Sequence, residues 1–597
     1  MKTDKVPVRS EVPAKDKWDL TSLYMKDSEW EDDLSLIPIL ADELLTYKGK
    51  LAESADFLRN SLDTYCRLQM LSETAGSYAF LLTAGDGEDS SCQDKYGRYV
   101  MAATAAEAKT SFYIPEIQAV PEKKIKEWIE RPDFHDYKVF LTKLLRLKPY
   151  ILSEKEERLL SLEGESGATA HKSFSMLTNV DMNFGSIKTP EGIKQLTQST
   201  WSSFLQNEDR DIRKKAYTKF YKAFDAHKNT IAALYAGSVN HDIFEARARG
   251  YESARAMALY PDNVPESVYD NLVKTVRDNL EPLHRYYAIR KELLGVKDLR
   301  HYDVYVPLVK NVKKVTKYDE AVEIIRNALA PLGEDYTNTL CDGLKNGWAD
   351  RYENKGKRSG AFSAGGFIGY PYILLNYKED VLRDVFTMAH EGGHSMHSWY
   401  SVRSNPFMQY SYTIFEAEVA STFNEQLVFQ YFMNTTKDKN LKKYLIAERA
   451  GDILATLYRQ TMFAEFEHTA HKLVESGTPL TVEVLRSEYR KLLETYFGPD
   501  VKFEKTSDLE GLRIPHFYSA YYVYKYATGI SASLALAERV TKGGEKERAD
   551  YFKFLCSGGS RYPIESLKVA GVDMTSTAPV QSAVNTFASL VKEMENF

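Results

Sequence analysis

The run Val385-Phe386-Thr387-Met388-Ala389-His390-Glu391-Gly392-Gly393-His394 limits the fold more than any other stretch of the chain. Val381, Val385, Met388 and Ala389 recur at helical spacing, so the run is expected on a helix packed into a core. His390 and His394, four apart, then lie about 40° apart on one side of that helix. Two imidazoles from one turn can reach a single metal ion, with Glu391 beside them as a general base towards water. Gly392 and Gly393 each cost such a helix about 1 kcal/mol relative to Ala. Paired glycines inside a helix imply that another segment comes close to its backbone there.

A catalytic zinc site needs a third protein ligand and keeps one position open. The candidate segment is Ile414–Glu425, in which Phe415, Val419, Phe423 and Leu427 recur every four residues and define a buried stripe. Glu418, Ser421, Thr422 and Glu425 fall on a neighbouring polar face, able to point at the first helix if the two pack together. Arg403-Ser404-Asn405-Pro406 breaks the chain between them, as that packing requires. Glu418, 24 residues after His394, is the preferred ligand. Glu416 and Glu425 are alternatives, either as ligand or as orienter of a ligand histidine. His397 is a further alternative, read as a core or supporting histidine.

His390-Glu391-Gly392-Gly393-His394-Ser395-Met396-His397-Ser398, followed by Glu418-Val419-Ala420-Ser421-Thr422-Phe423-Asn424-Glu425, resembles the oligoendopeptidase F family. That family belongs to the larger thimet oligopeptidase and neurolysin group of zinc peptidases. The resemblance implies that Glu418, at the start of a Glu-x-Ala-Ser run, is the third ligand. It extends to Trp18-Asp19-Leu20-Thr21, to segments within residues 201–300 and to His301-Tyr302-Asp303-Val304-Tyr305, and so covers nearly the whole chain. It implies a mostly α, multi-lobed zincin-type metallopeptidase, with a short β-sheet beside the metal helix and a deep substrate channel. One Zn2+ per chain and short peptide substrates follow from the same likeness.

The rest of the chain fits such an enzyme. Its 597 residues are 43% hydrophobic and 27% charged, a globular composition with room for several lobes. Net charge of −6 argues against nucleic acid as a partner. Cys66, Cys92, Cys341 and Cys556 have neither ligand spacing nor the density of a disulfide framework, so they read as reduced thiols of a cytoplasmic protein. No apolar run is long enough for a signal peptide core or a membrane span. Oligomeric state is not legible.

In chain order, the first twenty residues read as a mobile arm, and Ser28 with Glu31 as a capping box that opens a helix. Helical runs follow at Ala55–Phe80 and Tyr96–Ser111, and a second capping box at Ser153 and Glu156. Arg210–Asp225, Thr230–Ala248 and Val268–Leu294 read as long amphipathic helices, the last split or kinked at Pro282. Another long helix is expected over Glu448–Glu475, whose His468 and His471 read as surface or polar-core residues. Three regions result: 1–115 and 116–200, both helical, and a catalytic region 201–597.

Residues 355–377 differ in character. Glycines and β-favouring residues from Gly360 to Tyr377 predict short strands, the only clear sheet signal in the chain. An edge strand beside the metal can hold an extended peptide by main-chain hydrogen bonds; a hairpin that merely supports the metal helix fits the residues equally well. The resemblance favours peptide binding, with Gly365 and Gly366 at the substrate.

The last informative stretch is Arg513–Gly529, where hydroxyls repeat at Tyr518, Tyr521, Tyr522 and Tyr524. Aromatic packing alone would favour phenylalanine, because a buried hydroxyl needs a partner. In the resembled group a histidine and tyrosines from the matching stretch donate to the substrate carbonyl. His516, Tyr521 and Tyr524 match them. Two other readings compete with an endopeptidase. A zinc exopeptidase would be expected to carry a Gly-x-Met-Glu-Asn type motif, which is missing here. A non-catalytic helical scaffold would make the spacing of His390, Glu391, His394 and Glu418 incidental.

Overall fold

The computed structural model describes residues 5–309 and 314–597. The chain divides into two compact units, each assembled from three stretches. The first comprises Met1–Pro149, Lys313–Asn434 and Leu536–Val572; the second Tyr150–Val312, Thr435–Ala535 and Asp573–Phe597. The sequence divisions at 115 and 200 fall inside the first and second unit respectively. The expected mostly helical architecture is found, and strands among the described residues are confined to three small sheets.

In the first unit, α1 (Asp27–Leu45), α2 (Ala55–Gly85) and α3 (Ser90–Thr110) pack around Trp30, Ile37, Leu44, Leu58 and Leu62. The α1 start differs from expectation. Ser28 lies inside the first turn, and it is Glu29 whose carboxylate accepts the N–H groups of Met25 (2.8 Å) and Lys26 (3.3 Å). α3 starts six residues before the expected Tyr96, capped by the side chain of Asp89, which accepts the Ser91 N–H at 2.8 Å.

The N-terminal arm is docked and not mobile over its described residues. Arg9 donates to Asp350 Oδ1 (2.9 Å) and to Asn354 (3.1 Å), and the Arg351 N–H reaches the Asp16 carbonyl at 2.9 Å. The Asp19 N–H bonds the Gly347 carbonyl (2.7 Å), and Trp18 is buried against Phe362 and Tyr372. Charged residues at a terminus resemble a solvated tail in sequence. Here they are partners of carboxylates and amides more than 300 positions away.

The expected sheet forms from β1 (Ala349–Asp350), β2 (Phe362–Ala364) and β3 (Tyr372–Leu374). Its order is β1-β3-β2, with β1 parallel and β2 antiparallel to β3, Ser363 opposite Ile373. β2 is therefore an edge strand. Next come α4 (Arg383–Ser404) and α5 (Ile414–Thr435), separated at Asn405-Pro406 as expected. On α5 the stripe Phe415, Val419, Phe423 and Leu427 is buried.

The second unit is built on one 40-residue helix, Arg210–Arg249. Two helices were expected there, but the intervening Ala226-His227-Lys228-Asn229 holds neither Gly nor Pro to stop the first. Pro282 does divide the next pair, sitting in the first turn of Glu281–Leu293 after Glu266–Asp278. Ser153 and Glu156 form the expected capping box, the carboxylate accepting the Ser153 N–H at 3.0 Å. Lys439–Glu475 is helical throughout, with a π-turn at Leu454–Tyr458. A hairpin at Ser186–Thr189 and Gly192–Gln195 and a parallel pair, Leu299–Arg300 with Val501–Lys502, were not legible as strands.

Candidate active site

The site begins with the glycines of α4. A Cβ on Gly393 would lie 2.5 Å from the Ala420 carbonyl oxygen and 2.6 Å from Ser421 Cα, so α5 meets α4 backbone to backbone. On Gly392 it would lie 3.1 Å from Leu340 Cδ1. Asn424 fastens the crossing: its amide donates to the Ala389 carbonyl (3.2 Å) while its Oδ1 accepts from the Tyr336 hydroxyl (3.2 Å).

This close crossing delivers Glu418. Its Oε2 lies 3.4 Å from His390 Nε2 and 3.7 Å from His394 Nε2. The three residues offer one atom each within 4.8 Å of one another, the one such group among the described residues. Ser421 Oγ donates to the Glu418 carboxylate at 3.2 Å. Glu425 pairs with the far side of His390, Nδ1 to Oε1 at 2.6 Å, which leaves Nε2 turned towards Glu418. Against the effect of burial, Glu418 and Glu425 raise the pKa of His390, and the two histidines hold Glu418 below the usual carboxylate range. The surroundings thus favour positive charge at His390, whereas burial first and then the His390 charge push His394 down to about 4; two imidazole nitrogens and one carboxylate suit zinc.

Glu391 is buried, and burial pushes its carboxyl up to about 7; His390 pulls it down, while Glu418 and Glu425 push it up. The Ser363 backbone N–H, on β2, also draws it down slightly. Ser363 Oγ pairs with Ser395 Oγ at 2.8 Å, and Ser395 Oγ donates to the Pro371 carbonyl at 3.0 Å, so the sheet is bolted onto α4. A cavity of about 550 Å³ opens here, lined by Ser363, Gly365, Glu391, Ser398, Tyr412 and Glu418 among others. Gly365 packs on Ser398, whose Cβ would be 2.7 Å from an added Cβ.

The alternatives to Glu418 sit elsewhere. Glu416 is buried with Thr413 Oγ1 3.3 Å away, outside the group of three. His397 is buried with its ring stacked 3.7 Å from Tyr412, and neither of its ring nitrogens has a hydrogen-bond partner. In the second unit His471 bonds Asp242 (3.1 Å) and His468 faces the Tyr521 hydroxyl (3.2 Å), as polar-core residues do.

The tyrosines sort differently from the sequence pattern. His516 is exposed, and its ring lies 6.1 Å from those of Tyr522 and Tyr526. Tyr521 and Tyr524 are only 2% and 1% exposed, packed on Tyr269 at 5.7 and 5.2 Å. Tyr521 also takes a left-handed φ of 53°, with its N–H on Glu467 at 2.7 Å. The structure does not group His516 with the two tyrosines expected beside it. It groups there Tyr522, which the sequence pattern named only as one of the repeating hydroxyls, and Tyr526, which it did not single out although their four-residue spacing was readable.

Comparison with known proteins places the chain in a defined class. The chain belongs to peptidase family M3, matched over residues 203–586, and an Oligopeptidase F family matches residues 116–184. It is 42% identical to an oligoendopeptidase F homolog of Borreliella burgdorferi over 589 residues, 98% of this chain and 99% of that one. To oligopeptidase PepF of Bacillus subtilis it is 42% identical over 600 residues, covering 100% of this chain and 89% of that one. The crystal structure of oligoendopeptidase-F from Enterococcus faecium superposes with a TM-score of 0.74 at 31% identity, over 96% of this chain and 99% of that one. The chain is thus a peptidase, and a non-catalytic scaffold is set aside.

Proposed function

We propose that the protein is a zinc-dependent endopeptidase that hydrolyses internal bonds of short peptides. The observation that carries this reading is the meeting of His390, His394 and Glu418 beside Glu391 at one cavity. These three residues would hold one zinc ion per chain, and zinc supplies Lewis-acid polarisation and makes water a nucleophile near neutral pH. Glu391 takes the proton from water and passes it to the leaving amine. Glu425 keeps His390 in the tautomer that presents Nε2. The free side of β2 would hold the peptide main chain, with Gly365 and Gly366 at the substrate. Gly365 supports this by its close fit on Ser398 beside the cavity.

His516 is assigned as an oxyanion donor, partnered by a tyrosine of the same segment. The sequence match favours Tyr521 and Tyr524; burial favours Tyr522 and Tyr526. No described helix is long and apolar enough to cross a membrane, and all four cysteines are free thiols, which suits the cytoplasmic placement we propose. Cleavage of N-terminally blocked peptides tests the reading. An endopeptidase cuts them internally, whereas release of residues only from free N-termini would point to an exopeptidase.

A further inference from the structure

We propose that Glu73 is a positioning residue for substrate, holding the peptide-binding edge from the N-terminal helices. The idea rests on β2 and the residues after it being that edge. Glu73 lies on α2, about 290 positions before the segment it touches. Its Oε1 accepts the Phe367 N–H at 2.7 Å, and its Oε2 accepts the Tyr410 hydroxyl at 2.5 Å. One carboxylate thereby joins α2, the chain leaving β2, and the segment that leads into α5 and its Glu418.

The glycines mark the same contact. A Cβ on Gly366 would lie 3.1 Å from Glu73 Oε1, so the carboxylate occupies the space a side chain would take. Phe367 then turns its ring onto Phe407 and Tyr410, both at 5.4 Å. Further along, the Tyr370 N–H reaches Ser22 Oγ (3.2 Å) and the Tyr372 hydroxyl reaches the Asp19 carbonyl (3.0 Å), so the N-terminal arm backs the same run.

Two consecutive glycines directly after an edge strand leave the backbone many conformations, and ordering them on binding weakens affinity. Glu73 supplies that order beforehand by fixing the peptide plane between Gly366 and Phe367. It touches neither the metal-ligand group nor Glu391. Its loss should therefore weaken peptide binding in ground state and transition state alike, raising KM with little change in kcat.

The test is steady-state cleavage of a short N-terminally blocked, internally quenched peptide by the full-length zinc-loaded protein. Glu73→Ala should raise KM about tenfold or more, with kcat within about threefold and zinc content unchanged. Glu73→Gln keeps an acceptor for the Phe367 N–H and should restore KM to within about threefold of wild type. Gly366→Ala, which pushes a methyl against the carboxylate, should raise KM as Glu73→Ala does; it stands in if Glu73→Ala fails to fold. Wild-type KM in Glu73→Ala, or in Gly366→Ala if that variant replaces it, overturns the proposal. So does a loss confined to kcat and thermal stability. If the wild-type protein leaves blocked peptides intact, the endopeptidase reading fails instead. Cleavage by wild type with unaltered KM in the variants removes only the role of Glu73.

Discussion

Gly393 of α4 and Ala420 of α5 face each other so closely that a methyl on Gly393 would sit 2.5 Å from the Ala420 carbonyl oxygen. That contact sets the helix separation from which Glu418 reaches both histidines. Gly393→Ala must push rigid backbone aside. It should cost about 1–3 kcal/mol of stability and lower zinc affinity. Gly392→Ala meets only the flexible end of Leu340, and helix propensity returns up to about 1 kcal/mol, so that variant should fold and bind zinc normally. Thermal melting and metal titration of the pair check this.

The ligand assignment predicts a graded response in zinc content. Glu418→Ala should lose most of the metal, and Glu425→Gln should weaken affinity by about 10–100-fold because His390 loses its orienting acceptor. Glu416→Gln should retain a full complement, since that carboxyl lies apart. Elemental analysis after dialysis against graded chelator distinguishes the three. Retention of zinc by Glu418→Ala would remove it from the ligand set.

Glu391→Gln removes the proton acceptor and leaves both histidines in place. Zinc should stay bound at about one per chain while turnover of a blocked peptide collapses. A zinc-loaded Glu391→Gln protein with normal kcat would leave the mechanism without its base.

Phe substitutions separate chemistry from packing among the tyrosines. If exposure decides, Tyr522→Phe or Tyr526→Phe, with His516→Ala, should lose about 10²–10³ in kcat. Tyr521→Phe strips the hydroxyl that faces His468, and it should chiefly cost stability, about 1–3 kcal/mol. A large kcat loss in Tyr521→Phe or Tyr524→Phe alone would favour the assignment made from the sequence match.

Acid stability should depend on Glu510 in the second unit. Its Oε1 accepts from Arg459 at 2.7 Å and Arg513 at 3.2 Å, and Tyr489 donates to its Oε2 at 2.9 Å. Burial alone would raise this carboxyl, but Arg459 first, then His301 and Arg513, hold it well below the ordinary value of 4.5. A depressed folded-state pKa adds stability above the unfolded value, and the gain is lost as pH falls below it. Glu510→Gln should therefore cost about 3–5 kcal/mol at pH 7. Its melting temperature should then converge on that of wild type as pH falls below about 4.5. A gap that stays constant from pH 7 to pH 3 would contradict this.

The sequence by itself determined the local elements and the chemistry they carry. Helical periodicity and the four-residue spacing of His390 and His394 set one face of α4, the stripe from Phe415 to Leu427 set α5, and Gly392-Gly393 announced a close approach without naming what approaches. Pro282 marked its own break for the same local reason, a missing N–H. Tertiary structure decided which groups meet. That Ala420 is the backbone against Gly393, that Glu425 orients His390, and that Glu73 holds Phe367 are pairings between residues 27 to 294 positions apart. Such contacts leave no periodic trace, because even where one residue is suggestive, as Gly393 and Glu425 are, the pattern does not single out its partner. The tyrosine segment shows the same limit. Its hydroxyls were visible in the sequence, but only the packed fold, in which the chain turns left-handed at Tyr521 with its N–H on Glu467, decides which of them are buried.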